Sequence, residues 1–160
     1  MSNKVPVTSQ IAWSALIIQF VIIFLLYYTF QYLAFVEPLI SAAVAYAMLA
    51  FILRKTIASN HRKGIVLIKQ RQFLQSIPYF EKSIASLEQH SWIDKYRFIT
   101  LFSSSKLSYK EMDLCNIAFA YSQIGDGENA IIYYEKAMAL NSNNGLAIAG
   151  LNMLNATKQK

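Results

Sequence analysis

The stretch Asn116 to Leu140, NIAFAYSQIGDGENAIIYYEKAMAL, decides the fold. Gly125, Asp126 and Gly127 divide it into two segments with apolar residues at helical spacing, and Asp126 stands where a helix N-cap belongs. Upstream, Ser108-Tyr109-Lys110-Glu111 has the spacing of a capping box, in which serine and glutamate each satisfy an open amide at a helix start. The pattern predicts one helix from about Tyr109 to Ile124 and a second from about Gly127 to Leu140. Leu114, Ile117, Ala118 and Tyr121 share a face of the first; Ala130, Tyr134 and Ala137 share a face of the second. Small Ala118 and Ala130 let the helices cross closely, with Tyr121 and Tyr134 filling the space beside the contact.

Leu114, Ile117, Ala118, Tyr121, Gly125, Ala130, Tyr134 and Ala137 all fall at the spacing of the tetratricopeptide repeat, and the stretch resembles that family, an antiparallel helix pair with a period of about 34 residues. Ser142 stands where the family usually has proline. A weaker copy is carried by Gly64, Leu67, Phe73, Ser76, Phe80, Ser83 and Ile84, with Arg71 in place of the usual glycine and Ser76 in place of the usual alanine. Ala130 and Ser76 are 54 positions apart (130 − 76), so the units, about 57–90 and 111–144, are separated by an insert, 91–110. In that insert Ser91 precedes Asp94 by three residues, a second capping signature, and Trp92, Tyr96 and Ile99 share one helical face while Phe98 and Phe102 share another. A short extra helix followed by the turn Ser103 to Ser105 is expected. After Ser142, a helix from about Gly145 to Ala156 would lay Leu146, Leu151 and Leu154 over the second repeat as a terminal cap, 145–157. The order WIDKYRFITLFSSS then SYKEMDLCNIAFAYSQIG is also similar to small bacterial membrane proteins of the repeat family, which implies location and fold but no reaction.

The composition, 55% hydrophobic and 15% charged, is too apolar for an ordinary water-exposed domain. The excess lies in the first third. Ile11 to Val36 carries no charge, and as a helix would measure about 39 Å against a hydrocarbon layer of roughly 30 Å. Pro38 to Leu53 is shorter, about 24 Å, but Arg54 and Lys55 can snorkel and extend it. A cleaved secretory core runs about 7 to 15 residues, so the first run reads as a span and not a signal. Glu37-Pro38 alone separates the two runs, which predicts a tight hairpin, 11–55, after a short tail, 1–10. Ser41, Ala43, Ala45, Ala47 and Ala50 are expected to face the bulk of Phe20, Phe24, Tyr27 and Tyr28. Gln19 and Gln31 suit a helix-to-helix hydrogen bond better than a transport path.

Arg54, Lys55, Arg62, Lys63, Lys69 and Arg71 account for the whole net charge of +6, with no carboxylate between Glu37 and Glu81. Cations flanking a span are retained on the cytoplasmic side, which places 56–160 and both termini there; that the membrane is a bacterial inner membrane is what the resemblance to small bacterial membrane proteins implies. Arg54, Lys55, Arg62 and Lys63 would then meet anionic lipid headgroups, at about 1 kcal/mol each. Beside a span, that basic collar argues for lipid contact and against nucleic acid. The expected fold is all-α: a transmembrane helical hairpin, then a tetratricopeptide-like solenoid with an inserted helix and a C-terminal capping helix.

No residue set carries chemistry. His61 and His90 are in no metal-ligand spacing, and Cys115 is a lone cysteine on an apolar face, which excludes an internal disulfide. Ser103 to Ser105 lack the glycines of a nucleophile elbow; Gly125-Asp126-Gly127 lacks the lysine of a phosphate loop and the acidic ladder of a calcium loop. Asn155-Ala156-Thr157 fits a glycan acceptor that would stay unmodified in the cytoplasm. No catalytic, cofactor or metal site is expected, and no enzyme. The resemblance implies that the first helix of a pair lines a groove for an extended peptide, here Met112, Cys115, Phe119 and Ser122. These lack the lysines and asparagines that clamp a C-terminal carboxylate, so an apolar ligand is expected. Two repeats are fewer than the three or so that usually stand alone. Three covers fit: the insert folding back through Trp92, Tyr96, Phe98 and Phe102, a second copy of the chain, or another membrane protein. The expected role is a membrane-anchored, non-enzymatic adaptor for a protein partner; the alternative is an accessory or assembly subunit of an inner-membrane complex, acting through its hairpin.

Overall fold

The computed structural model describes residues 12–158; the expected tail, 1–10, lies outside the described residues. The elements among them are all helices, with one isolated bridge residue at Ser105. The first two helices, α1 (Trp13–Tyr32) and α2 (Pro38–Thr56), are each long and apolar enough to cross a membrane, with mean hydropathies of 2.0 and 1.5 over their best windows. At 20 and 19 residues each spans roughly 30 Å. Only 11% of each window is buried in the fold, so nearly all of this apolar surface faces outward.

The hairpin turn differs from the expected two residues. α1 stops before the uncharged run does, because Ala34 enters the left-handed region at φ 56 and its amide donates to Gln31. The Phe35 amide donates to Phe30, and the two rings meet edge-on at 4.9 Å. Pro38 then opens α2 at its first position, where a missing N–H costs no hydrogen bond.

The packing inside the hairpin also differs. Ala15 of α1 and Ala42 and Ala50 of α2 are buried, whereas Phe20, Phe24, Ala43 and Ala47 are exposed. Small residues let the backbones approach, as expected, but the large aromatic rings of α1 turn away from that contact. The expected interhelical amide bond is not formed by Gln19 through Nε2, which is enclosed without a partner, and Gln31 is exposed.

The chain continues through α3 (Ser59–Lys69) and α4 (Phe73–Gln89), two short helices α5 (Ser91–Lys95) and α6 (Arg97–Thr100), then α7 (Tyr109–Gln123), α8 (Gly127–Leu140) and α9 (Gly145–Lys158). α4 packs between α3 and α7, α7 between α4 and α8, and α9 closes on α8. One core cluster joins Ile68, Ile77, Phe80, Ile117 and Ala120; the other joins Leu114, Cys115, Ala118, Tyr134, Ala137 and Ala147. Leu146, Leu151 and Leu154 of α9 pack against the second cluster.

The small-against-large pairing is most direct at Gly64, where a Cβ would lie 2.6 Å from the ring of fully buried Phe80. Gly150 is pressed in the same way against Tyr134. The turns of both helix pairs use the left-handed region, at Gly125 between α7 and α8 with φ 85 and at Arg71 between α3 and α4 with φ 60, so the arginine adopts a conformation in which its Cβ is strained.

Capping holds α7 and α8 in place. Ser108 and Glu111 form both bonds of the capping box, and Asp126 accepts from the Asn129 amide at 3.0 Å. The expected box at Ser91 and Asp94 does not form. Asp94, almost fully buried, instead accepts from the Tyr109 and Lys110 amides at 2.8 and 3.0 Å, so the carboxylate caps α7 and not its own helix.

Candidate functional site

The face of α7 that the repeat pattern marks as a groove carries partly exposed Met112, Phe119 and Ser122. Phe119 sets its ring edge-on to Phe73 at 5.9 Å, and the Ser122 hydroxyl donates to the Phe119 carbonyl at 2.7 Å. Cys115 is elsewhere. It is 4% exposed within the α7–α8–α9 core, and its thiol donates to Asn144 Oδ1 at 3.8 Å. Burial pushes this thiol up to about 12, so it is not a nucleophile at neutral pH.

The insert leans on the foot of the hairpin. Phe102, buried and in the left-handed region at φ 49, meets Tyr46 of α2 edge-on at 4.9 Å. Arg54 Nε donates to the Leu101 carbonyl at 2.8 Å, and Arg54 Nη2 donates to that of Phe102. The Ala12 amide donates to the Ser104 carbonyl at 2.7 Å. Arg97 gathers the carbonyls of Asp94, Ser105 and Lys106 from within the insert. Trp92 and Tyr96 are exposed and Phe98 is half-buried, its ring facing Tyr96. The ring contacts of Phe98 and Phe102 therefore run to Tyr96 within the insert and to Tyr46 of α2. The Arg54 guanidinium of α2 thus holds the two carbonyls that lead into the serine-rich turn.

Arg54 is thereby separated from the other collar cations. Lys55, Arg62 and Lys63 line a recess of about 440 Å³ together with Ser59, Val66, Leu67 and Tyr79. Two ammonium groups, from Lys63 and Lys82, approach the Tyr79 ring at 6.0 and 5.9 Å. Sequence reading missed Ser59 and Tyr79. The only sequence signal for the latter is its spacing from Lys82, one helical turn away.

A second recess, about 460 Å³, lies between α4, α7 and α8, with apolar walls from Ile84, Ala85, Leu114 and Leu140. Lys110 pairs with Glu88 at 2.7 Å at its edge. Tyr133 donates to Glu81 at 3.1 Å while Lys136 sits 4.4 Å over its ring; burial first, then Glu81, pushes the phenol up to about 12.

His61 Nδ1 lies 2.5 Å from Asp113 Oδ1, tying α3 to α7, and its ring is flanked edge-on by Tyr109 and Phe80. Asp113 is fully buried, and that burial raises its carboxyl, against the opposing pull of His61 and Ser83. Neither residue lines either of these two recesses. The pair is a buried strut. Among the described residues no group of three or more histidine, cysteine or carboxylate side chains is placed to hold a metal ion.

Residues 114–144 match the tetratricopeptide repeat family model. No curated protein and no solved structure matches the chain. The matched segment covers α7 from Leu114 through α8 to Asn144, two helices that pack directly against one another. Such repeats are typically non-catalytic modules that bind other proteins.

Proposed function

We propose that the protein is a non-enzymatic adaptor that anchors in a bacterial inner membrane through the α1–α2 hairpin, 11–55, and presents the helical module, 56–160, to a protein partner in the cytoplasm. The observation that carries this reading is a matched interaction repeat joined to two helices whose apolar surface is almost wholly exposed. The basic foot of α2 and α3 supports the orientation, since cations beside a span are held on the cytoplasmic side. In this reading the partner meets α7 at Met112, Phe119 and Ser122, and the collar cations meet anionic headgroups. Phe119 is the anchor of that surface: it is large, apolar and partly exposed on the only repeat that the family pattern marks fully.

A photo-crosslinking residue at Met112, compared with one at exposed Glu135 on α8, tests the surface in intact cells. The expected result is a discrete protein adduct from position 112 that is absent from 135. Equal or absent adducts at both positions contradict it.

The outward-turned Phe20 and Phe24 favour a second reading, in which the hairpin itself contacts a membrane partner as an accessory subunit. Exchanging residues 11–53 for an unrelated hairpin separates the two. An adaptor keeps its partner after the exchange, and a hairpin-dependent subunit loses it.

A further inference from the structure

The geometry points to a specific headgroup site: the recess formed by Lys55, Ser59, Arg62, Lys63 and Tyr79 holds the phosphate of one anionic phospholipid. This deepens the membrane-anchor reading and rests on it.

Three observations combine. First, the recess brings together cations from two helices, Lys55 from the last turn of α2 and Arg62 and Lys63 from α3, around a volume of about 440 Å³, and no carboxylate lines it. The ion pairs among the described residues are His61–Asp113 and Lys110–Glu88, so none of these three cations is neutralised within the fold. Three unpaired cations converging on one concavity repel one another, and an anion between them relieves that cost.

Second, the wall is mixed. Val66, Leu67 and Tyr79 supply apolar surface beside the cations, and Val66 is exposed. A small inorganic anion has no use for that surface, whereas a phosphodiester carrying a glycerol backbone does. Ser59 supplies a hydroxyl able to donate to a phosphate oxygen, and the Tyr79 ring, with Lys63 and Lys82 both near it, limits how far those ammonium groups can swing.

Third, the recess lies at the end of a membrane-length helix. One turn back from Lys55, Phe51 and Ile52 are exposed, with the Lys55 ammonium 5.7 Å from the Phe51 ring. Acyl chains running along that apolar flank place their phosphate at the level of Lys55. Arg54, adjacent in sequence, takes no part because its guanidinium is committed to the Leu101 and Phe102 carbonyls.

The test uses the full chain in detergent micelles, titrated with phosphatidylglycerol, phosphatidylcholine, glycerol 3-phosphate and inorganic phosphate, with thermal stabilisation as the readout. Saturable stabilisation by phosphatidylglycerol alone is expected. Arg62→Gln with Lys63→Gln should weaken it about thirty-fold, whereas Lys69→Gln with Lys136→Gln, the same charge loss at exposed positions outside the recess, should weaken it less than about three-fold. Tyr79→Leu, which leaves net charge unchanged, should also weaken it, an effect that diffuse attraction does not produce. Equal losses in the two double variants overturn the site in favour of a general basic surface. Stabilisation by glycerol 3-phosphate or inorganic phosphate matching that of the lipid overturns the lipid assignment. Flotation of the unaltered chain with phosphatidylcholine vesicles separates this result from the anchor: flotation without any preference for phosphatidylglycerol in the titration sinks the recess alone, and failure to float sinks the anchor.

Discussion

Replacing Gly64 by alanine probes the close pairing of α3 with α4. The new methyl would stand 2.6 Å from Cε1 and Cζ of Phe80 and 2.9 Å from Cδ1. Carbon contacts are optimal at about 3.5–4.0 Å, so α3 and α4 must part by roughly 1 Å or the ring must rotate. Phe80 has 0% exposure and packs among Ile68, Ile77, Ile117 and Ala120, which leaves the ring nowhere to go. Overpacking of this kind costs about 1–3 kcal/mol. Alanine returns about 0.8–1.0 kcal/mol of helix propensity, for a net loss of roughly 0–2 kcal/mol against the native chain and about 1–3 kcal/mol against an unobstructed glycine-to-alanine change. For a module of this size the latter corresponds to a Tm lower by roughly 5–20 °C than that of the unobstructed change. Gly127→Ala is the control, because nothing lies within 4 Å of its added Cβ, and it should leave Tm unchanged or slightly raised. Phe80→Leu in the Gly64→Ala background should return part of the loss, since the two sites share one contact. Circular dichroism melts of the full chain in detergent give all four values. If Gly64→Ala melts with Gly127→Ala, the close crossing of α3 and α4 is not as described.

Asp94→Ala frees the Tyr109 and Lys110 amides at the start of α7 and should cost about 1–2 kcal/mol, with Asp94→Asn costing less, read from urea midpoints. Arg71→Gly relieves a left-handed arginine and should stabilise the module by about 0.5–1 kcal/mol in the same assay; an unchanged or lower midpoint would count against the turn. Asp113 should give a pH signature. Burial raises its carboxyl, so the native chain keeps that proton to higher pH than the unfolded chain does. Its contribution is complete below the unfolded value of about 3.9 and is lost as pH rises through the raised value, so Asp113→Asn should flatten the stability profile above about pH 4. His61→Ala should destabilise by about 1–3 kcal/mol by leaving a fully buried carboxyl group without its partner, and adding Asp113→Leu should recover part of that.

What could be read from sequence was local chemistry. The limits of α7 and α8 follow from Ser108, Glu111, Asp126 and Gly125, each of which acts within a few residues of itself. Asp94 resisted the same reading because two helix starts compete for one carboxylate, and only the folded insert decides which lies within reach. Arg54 was grouped with its neighbours by charge alone, yet its position at the helix foot brings it to carbonyls nearly fifty residues away. In α1, apolar residues occur all round, so no periodicity tells which side meets α2, and Phe20 and Phe24 could not be oriented. Cys115 sits at a groove position of the repeat pattern, but Asn144 and Ala147 close over it, a contact that depends on where α9 lands. The recess between α4, α7 and α8 joins helices distant in sequence, and the basic recess needs the folding of α4 back on α3 to bring Tyr79 beside Arg62 and Lys63, so neither follows from the spacing within one helix.

The arrangement of the hairpin and the module across a bilayer is the central claim, and cysteine accessibility tests it most directly. The native thiol of Cys115 is buried and pushed up to about 12, so it stays silent to a membrane-impermeant maleimide. Val36→Cys places a thiol at the exposed hairpin turn, and Glu135→Cys places one on the exposed side of α8. In cells with an intact inner membrane, Val36→Cys should be modified and Glu135→Cys should react only after that membrane is opened. Modification of Glu135→Cys from outside intact cells would contradict the account.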